Sequence, residues 1–199
     1  RSTLAVLLTL LFWALLFGAC KNDTQPTVQI EDETPVNGDW IRIYHAADPD
    51  GLHPQNARNA YATFIKENIY MYLFDYDAQT MEHVPTLAVG RPEISADGMQ
   101  YTYEIRPEAQ WDNGDPITGF DYEFSIKCLK NPLTDNAQQR SYHSFIKNVV
   151  VDPSNNKRFT VYCDTIFFHA EIAISGLEVI SKKHFDPAGV LDNYKVLDF

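Results

Sequence analysis

The first forty residues change character twice. Leu4 to Phe17 is an almost uninterrupted apolar run behind a basic start at Arg1, and it gives way to Gly18, Ala19 and Cys20. Lys21 to Asp39 then carries almost no apolar side chains, two prolines and the acidic run Glu31–Asp32–Glu33. From Trp40 onward, apolar positions fall at regular spacings and folded structure is expected. Trp40-Ile41-Arg42-Ile43-Tyr44 alternates around Arg42 and predicts a strand. Tyr61, Phe64, Ile65, Ile69, Tyr72 and Leu73 recur at three- and four-residue steps. They predict one helix over about Ala60 to Leu73 with that stripe inward. Asp75 to Glu82 reads as a polar turn, and His83 to Ala88 as a short apolar segment stiffened by Pro85.

Two hairpins come next. Asp97–Gly98 is a turn signal, after which Tyr101, Tyr103 and Ile105 share one strand face and Thr102, Glu104 and Arg106 the other. Ile94 belongs to the partner strand. Val149-Val150-Val151 and Phe159 to Cys163 flank the turn-formers Asp152-Pro153-Ser154-Asn155-Asn156. Ile166 to Ile174 predicts a helix closing at Ser175–Gly176. Leu177 to Ile180 is strand-like, and Lys182 to Tyr194 is loop or short helix. No internal repeat is visible.

Between the hairpins lies a stiff corner. Asp112-Asn113-Gly114-Asp115-Pro116 combines residues that tolerate positive φ with a proline of fixed φ. Thr118 is a good N-cap, and Asp121 lies three positions on, where a carboxylate answers the free N–H groups of a first turn. In the helix Phe120, Phe124 and Cys128 share a face, with Tyr122, Ile126 and Leu129 beside it, and Asn131–Pro132 stops it. The reading is a rigid strand-turn-helix junction with Trp111 as a core or rim aromatic.

The apolar run at the start is about fourteen residues, short of the about 20 that span a bilayer. A basic start, a short apolar core and small residues before a polar stretch read as a secretory signal. With Cys20 directly after Gly18–Ala19, the segment resembles a bacterial lipoprotein signal. Residues 1–19 are then the signal, Cys20 the lipid-bearing first residue, and 20–38 a lipidated, flexible tether. About 160 residues remain, enough for one domain with a core. The formal net charge of −11 disfavours nonspecific nucleic-acid binding. An exported compartment permits Cys128 and Cys163 to pair, and two buried free thiols fit the sequence equally.

No catalytic set stands out. The six histidines, His45, His53, His83, His143, His169 and His184, are scattered and none forms a His-x-x-x-His pair, so no metal site is expected. No Gly-x-Ser-x-Gly elbow or phosphate loop occurs. The acid pairs Asp112/Asp115 and Asp75/Asp77 sit in turn sequences, which explain them without acid–base work.

Motifs from Asp39 to Phe199 nevertheless resemble one family in order. Trp111, Asn113–Gly114, Pro116, Thr118, Asp121 and Phe124–Ser125 resemble a signature of the peptide- and nickel-binding lipoproteins of ABC importers, the family 5 extracellular solute-binding proteins. Ahead of it come Asp50 and Pro54, then Glu67-Asn68-Ile69-Tyr70, Val84-Pro85-Thr86-Leu87-Ala88 and Ser95 to Tyr103. Behind it, Val179 to Phe185 is similar to a further family segment. Gly119 and Tyr122 stand where alanine and valine are common, and Ser181 replaces a usual proline.

The resemblance implies an α/β, periplasmic-binding-protein-like fold (type II, peptide-binding subclass), not an enzyme. Residues 39–199 then hold the start of the first lobe, with 52–163 similar to the extra domain of peptide-binding members. Family members are longer and two-lobed. A chain of this length is therefore expected to be an N-terminal fragment, unable by itself to hold solute tightly. The implied function is capture of oligopeptides or dipeptides outside the cytoplasmic membrane, for delivery to permease subunits, with no cofactor. The implied contacts are Ala46, Ala47, Asp48 and Asp50 on one segment and Glu171, Ser175 and Gly176 on another. The alternatives are a structural or protein-interaction lipoprotein, whose contacts the eleven tyrosines and twelve phenylalanines would serve, then a carrier of nickel or another solute, and a hydrolase.

Overall fold

The computed structural model describes Gly38 and residues 42–190. The expectations for the signal, Cys20, the acidic tether, Trp40–Ile41 and the segment from residue 191 onward lie outside these residues. The chain divides into two units, Arg1–Ile43 and Tyr44–Phe199. Of the first, Gly38, Arg42 and Ile43 are described, in irregular backbone. The second unit holds all the helices and strands among the described residues.

The centre of that unit is an antiparallel four-stranded sheet, β3 (Glu93–Ile94), β4 (Gln100–Glu104), β6 (Arg158–Cys163) and β5 (Ile146–Val151), in the order β3-β4-β6-β5. The alternation predicts its faces correctly. Tyr101, Tyr103, Phe159 and Val161 are buried, while Thr102 and Thr160 meet on the other side with hydroxyls 2.8 Å apart. Ile94 pairs with Tyr101. Helix α2 (Gly119–Lys130) covers the apolar face, and Tyr122, Ile126 and Leu129 enter the main core. A small hairpin, β1 (Phe74–Tyr76) with β2 (His83–Pro85), adds Phe74 to the core. A second cluster forms where Phe124 and Cys128 of α2 meet Ile180 and Phe185 of α5 (Lys182–Phe185).

Several expectations are corrected. Arg42 to Tyr44 form no strand; Ile43 and Tyr44 stand exposed. The helix α1 is shorter than its stripe, Ala60–Lys66. Asn68 ends it by turning its side-chain amide onto the Phe64 carbonyl at 2.7 Å, a local bond that competes with the helical ladder. The stripe is only partly inward: Phe64 and Ile69 are exposed, Ala62 and Lys66 are buried, and Leu73 lies in the main core. Helix α4 spans only Ala170–Ser175. Leu177, Val179 and Ile180 are buried but form no strand; Val179 N–H reaches the Met71 carbonyl and Ile180 N–H the Ser125 hydroxyl. The short helix α3 (Ala137–Tyr142) has no signal in the apolar pattern.

Of the two alternatives for Cys128 and Cys163, the structure has the second, two free and buried thiols. Cys128 packs in the cluster with Phe185, whereas Cys163 belongs to the main core, so their thiols serve different apolar groups. Burial pushes the Cys128 thiol up to about 12 and the Cys163 thiol up to about 11, which keeps both protonated.

Candidate functional site

The corner behaves as its sequence predicts. Gly114 has φ +84°, Gly114 N–H bonds the Trp111 carbonyl at 2.9 Å, and Trp111 N–H bonds the Asp115 carbonyl at 2.8 Å. Trp111 packs half-buried against the core. Asp121 accepts from Thr118 N–H and Oγ at 2.9 and 3.0 Å, and its other oxygen accepts from Lys182 N–H at 3.0 Å. A groove of about 680 Å³ runs along this corner. Two of its charged groups answer each other, since Asp115 pairs with Lys183 at 2.7 Å. Pro116 follows as the stiff link into the cap. The signature residues therefore build a joint.

Unspent polar groups occur elsewhere. A cavity of about 600 Å³ lies between the loop around Pro54–Arg58, the residues leading into α3, and Leu177–Glu178. Lys66, at the end of α1, is 7% exposed. Its ammonium donates to the carbonyls of Pro54 (2.7 Å) and Ala57 (3.2 Å) and pairs with Glu178 at 3.4 Å. One buried cation thus fixes two walls of the cavity to each other. Burying it is tolerable because all three partners are oxygen.

Gln55 and Asn136 also line this cavity and are 6% and 3% exposed. Gln55 donates through Nε2 to the Ser125 carbonyl at 2.8 Å, and its Oε1 has no partner among the described residues. Asn136 Oδ1 accepts from Arg140 at 3.4 Å, and its Nδ2 has no partner among the described residues. A buried amide oxygen and a buried amide N–H are thus both unanswered, and each costs free energy while it stays so. At the rim Arg58 pairs with Asp135 at 3.0 Å. Behind the walls the buried His143 ring lies 2.9 Å from the Gln139 carbonyl of α3 and 3.1 Å from the Ala173 carbonyl of α4.

None of the seven predicted contact residues lines this cavity. Ala46, Ala47, Asp48 and Asp50 lie on the preceding segment, with Asp50 exposed. Asp50 accepts from Arg58 N–H at 3.0 Å and Asn59 N–H at 3.2 Å. These bonds, the Arg58 one foremost, hold its carboxyl below the usual range. The Asp48 carbonyl accepts from the Asn59 side chain, which also caps α1 through Ala62 N–H at 2.7 Å. This segment therefore shapes the cavity loop. On α4, Glu171 pairs with Arg91 at 2.7 Å. Ser175 is buried with its hydroxyl on the Glu171 carbonyl, and Gly176 ends the helix.

Sequence reasoning missed Gln55, Lys66 and Asn136. A lysine in the last turn of a helix normally answers the helix dipole, and amides in loops normally face water. Nothing local marks these three as buried. Among the described residues, no group of three or more His, Cys, Asp or Glu side chains is placed to hold a metal ion. No helix among them is long and apolar enough to cross a membrane.

Residues 82–184 match the family model described as bacterial extracellular solute-binding proteins, family 5 middle. The oligopeptide-binding protein OppA of Bacillus subtilis is 27% identical over 145 residues, 72% of this chain and 25% of that protein. The chain thus spans about a quarter of that relative's length. The dipeptide-binding protein DppE of the same organism is 38% identical over 52 residues, 26% of this chain and 10% of that protein. Among solved structures, Haemophilus influenzae OppA in complex with the peptide RPPGFSPFR superposes with a TM-score of 0.62 at 21% identity, covering 72% of this chain and 31% of that one. NikZ of Campylobacter jejuni in complex with Ni(L-His) gives 0.52 at 24%, covering 63% and 24%. The fold is therefore periplasmic-binding-protein-like, present in part.

Proposed function

The chain belongs to family 5 of the bacterial extracellular solute-binding proteins, and on that premise we propose that it forms part of the substrate-binding component of an ABC importer. It captures oligopeptides or dipeptides outside the cytoplasmic membrane and hands them to the permease. The family is one of solute-binding proteins, not of enzymes.

The observation that carries the peptide reading is that the 600 Å³ cavity is lined by Gln55 and Asn136, two buried amides that each keep one unanswered atom just beneath its surface. A peptide group presents one N–H and one C=O. Turning each side chain toward the cavity lets Gln55 Oε1 accept from the first and Asn136 Nδ2 donate to the second, without any demand on the ligand's side chains. Recognition through backbone groups suits a receptor for peptides of mixed sequence. Ala46 to Asp50 act here as the support of the loop. Glu171, Ser175 and Gly176 support the wall opposite.

The test is calorimetric titration of the full-length protein with trialanine. Saturable heat is expected, weakened about tenfold or more by Gln55→Leu or Asn136→Leu, since each removes a buried hydrogen-bonding group. No heat with any of a short peptide series overturns the peptide reading. Binding unaffected by both substitutions moves the site out of this cavity. We place the protein at the cell envelope, anchored through acylated Cys20. Labelled palmitate entering wild type and Cys20→Ser equally overturns that anchor.

A further inference from the structure

We propose that Asn113–Gly114 is a site of spontaneous covalent modification, deamidation through a cyclic imide, which the folded corner holds back. This inference stands independently of solute binding. It rests on how the corner engages the two reacting groups.

The chemistry needs only water. The backbone nitrogen of Gly114 gives its proton to solvent base and attacks Cγ of Asn113. A new N–Cγ bond forms, the Cγ–Nδ2 bond breaks, and Nδ2 departs as ammonia after taking a proton from water. Water then opens the five-membered imide at either carbonyl, leaving aspartate or isoaspartate at 113. Nothing is oxidised or reduced. Glycine favours the attack because no side chain shields its nitrogen. Both residues are exposed, so water reaches them.

Each reacting atom is committed in the fold. The attacking nitrogen donates its proton to the Trp111 carbonyl at 2.9 Å. The side chain under attack is held at both ends by one residue. Asn113 Oδ1 accepts from Asp115 N–H at 2.9 Å, and Asn113 Nδ2, the leaving nitrogen, donates to Asp115 Oδ2 at 2.9 Å. That same carboxylate oxygen accepts from Lys183 at 2.7 Å, and Lys183 foremost holds the Asp115 carboxyl below its usual range. The carboxylate is therefore ionised and keeps accepting. Attack requires the side chain to leave Asp115 and the Gly114 N–H to leave Trp111.

The product reverses the corner's logic. A carboxylate at 113 has no N–H for Asp115 and sets a second negative charge beside it, competing for Lys183. Isoaspartate also adds a methylene to the main chain inside a turn fixed by Gly114 at φ +84°. Modification therefore loosens the link from the corner to α5 irreversibly.

The experiment tracks the Trp111–Asp115 peptide by mass spectrometry, with isoaspartate identified by fragmentation, during incubation in warm, mildly alkaline buffer. Three samples are compared: the folded full-length protein, the same protein unfolded in urea, and folded Asp115→Ala. The unfolded chain should deamidate at least about tenfold faster than the folded one, because the three restraining bonds are gone. Asp115→Ala should modify faster than wild type while circular dichroism still reports the fold. Equal rates in folded and unfolded wild type overturn the proposal, as does no isoaspartate at 113 in the unfolded chain. If Asp115→Ala does not fold, the comparison of folded with unfolded wild type decides.

Discussion

Tyr122 lies stacked on Phe159, ring centroids 4.7 Å apart, and its buried hydroxyl donates to the Ile174 carbonyl at 2.7 Å. One side chain of α2 thus joins the sheet to α4. The stack is possible because Gly119 lies close by. A Cβ on Gly119 would sit 3.0 Å from Phe159 Cβ and 3.2 Å from a Val151 methyl. Tyrosine at 122 and glycine at 119 are therefore compatible parts of one packing solution.

Gly119→Ala should destabilise the fold. Alanine improves helix propensity by about 1 kcal/mol at most, whereas overpacking against Phe159 and Val151 costs about 1–3 kcal/mol. The steric effect wins, and a net loss of about 1 kcal/mol is expected. Urea denaturation of wild type and variant measures it; an unchanged or raised midpoint shows that Phe159 yields freely.

Tyr122→Phe keeps the stack and removes only the hydroxyl. The Ile174 carbonyl then loses a buried donor, a cost of about 1–3 kcal/mol. Amide hydrogen exchange should show this loss concentrated in α4, Ala170–Ser175. Uniformly raised exchange would instead mean that the hydroxyl supports the whole core.

How far the sequence reveals this structure depends on how local the determinants are. The inward Tyr101 and Tyr103 of β4, the turn at Asp97–Gly98 and the cap around Thr118–Asp121 are legible because neighbours along the chain decide them. The orientation of α1 is not. Its apolar stripe predicts Phe64 inward, but Lys66 wins that face by finding the carbonyls of Pro54 and Ala57 and the carboxylate of Glu178. The cavity is hidden for the same reason. Gln55 and Asn136 lie far apart in sequence, and their unanswered atoms arise only when the loop, α3 and the Leu177–Glu178 segment close together.

Lys66→Met tests that closure. The substitution removes the cation from Glu178, whose side chain is only 17% exposed, and strips a donor from two loop carbonyls. Losing one member of a largely buried pair costs about 3–5 kcal/mol when the other stays charged. About 2–4 kcal/mol is expected here because Glu178 keeps some contact with water. Adding Glu178→Gln should recover part of it. A double variant no more stable than the single one would place the loss in the loop carbonyls.

Gly114→Val should cost about 1–3 kcal/mol, because φ +84° is a conformation that β-branched residues rarely adopt. No neighbouring atom lies within 4 Å of a Cβ there, so the cost is backbone strain alone. Gly114→Asn, which tolerates this region better, should recover much of the loss. Equal costs for valine and asparagine would contradict a conformational cause.

His53 supplies a pH dependence with a definite sign. Burial, and secondarily the nearby Lys66 ammonium, lower its pKa from 6.5 to about 4. In the unfolded chain the ring takes up a proton near 6.5, while in the folded chain it stays neutral until about 4. Between those values the unfolded state binds more protons, so stability falls as pH falls and is level above the window. The full shift would amount to about 3 kcal/mol, and the ring's partial exposure reduces this to roughly 2 kcal/mol. Carboxylates held low by local hydrogen bonds, such as Asp50 and Asp152, lose their contribution at still lower pH, below about their ordinary 3.8. The two effects therefore separate. Denaturation midpoints measured from pH 7 down to 4 should decline in wild type and decline clearly less in His53→Asn, where His83, lowered chiefly by burial, still contributes with the same sign. A parallel decline in both proteins would assign the pH dependence to other groups and leave His53 without this role.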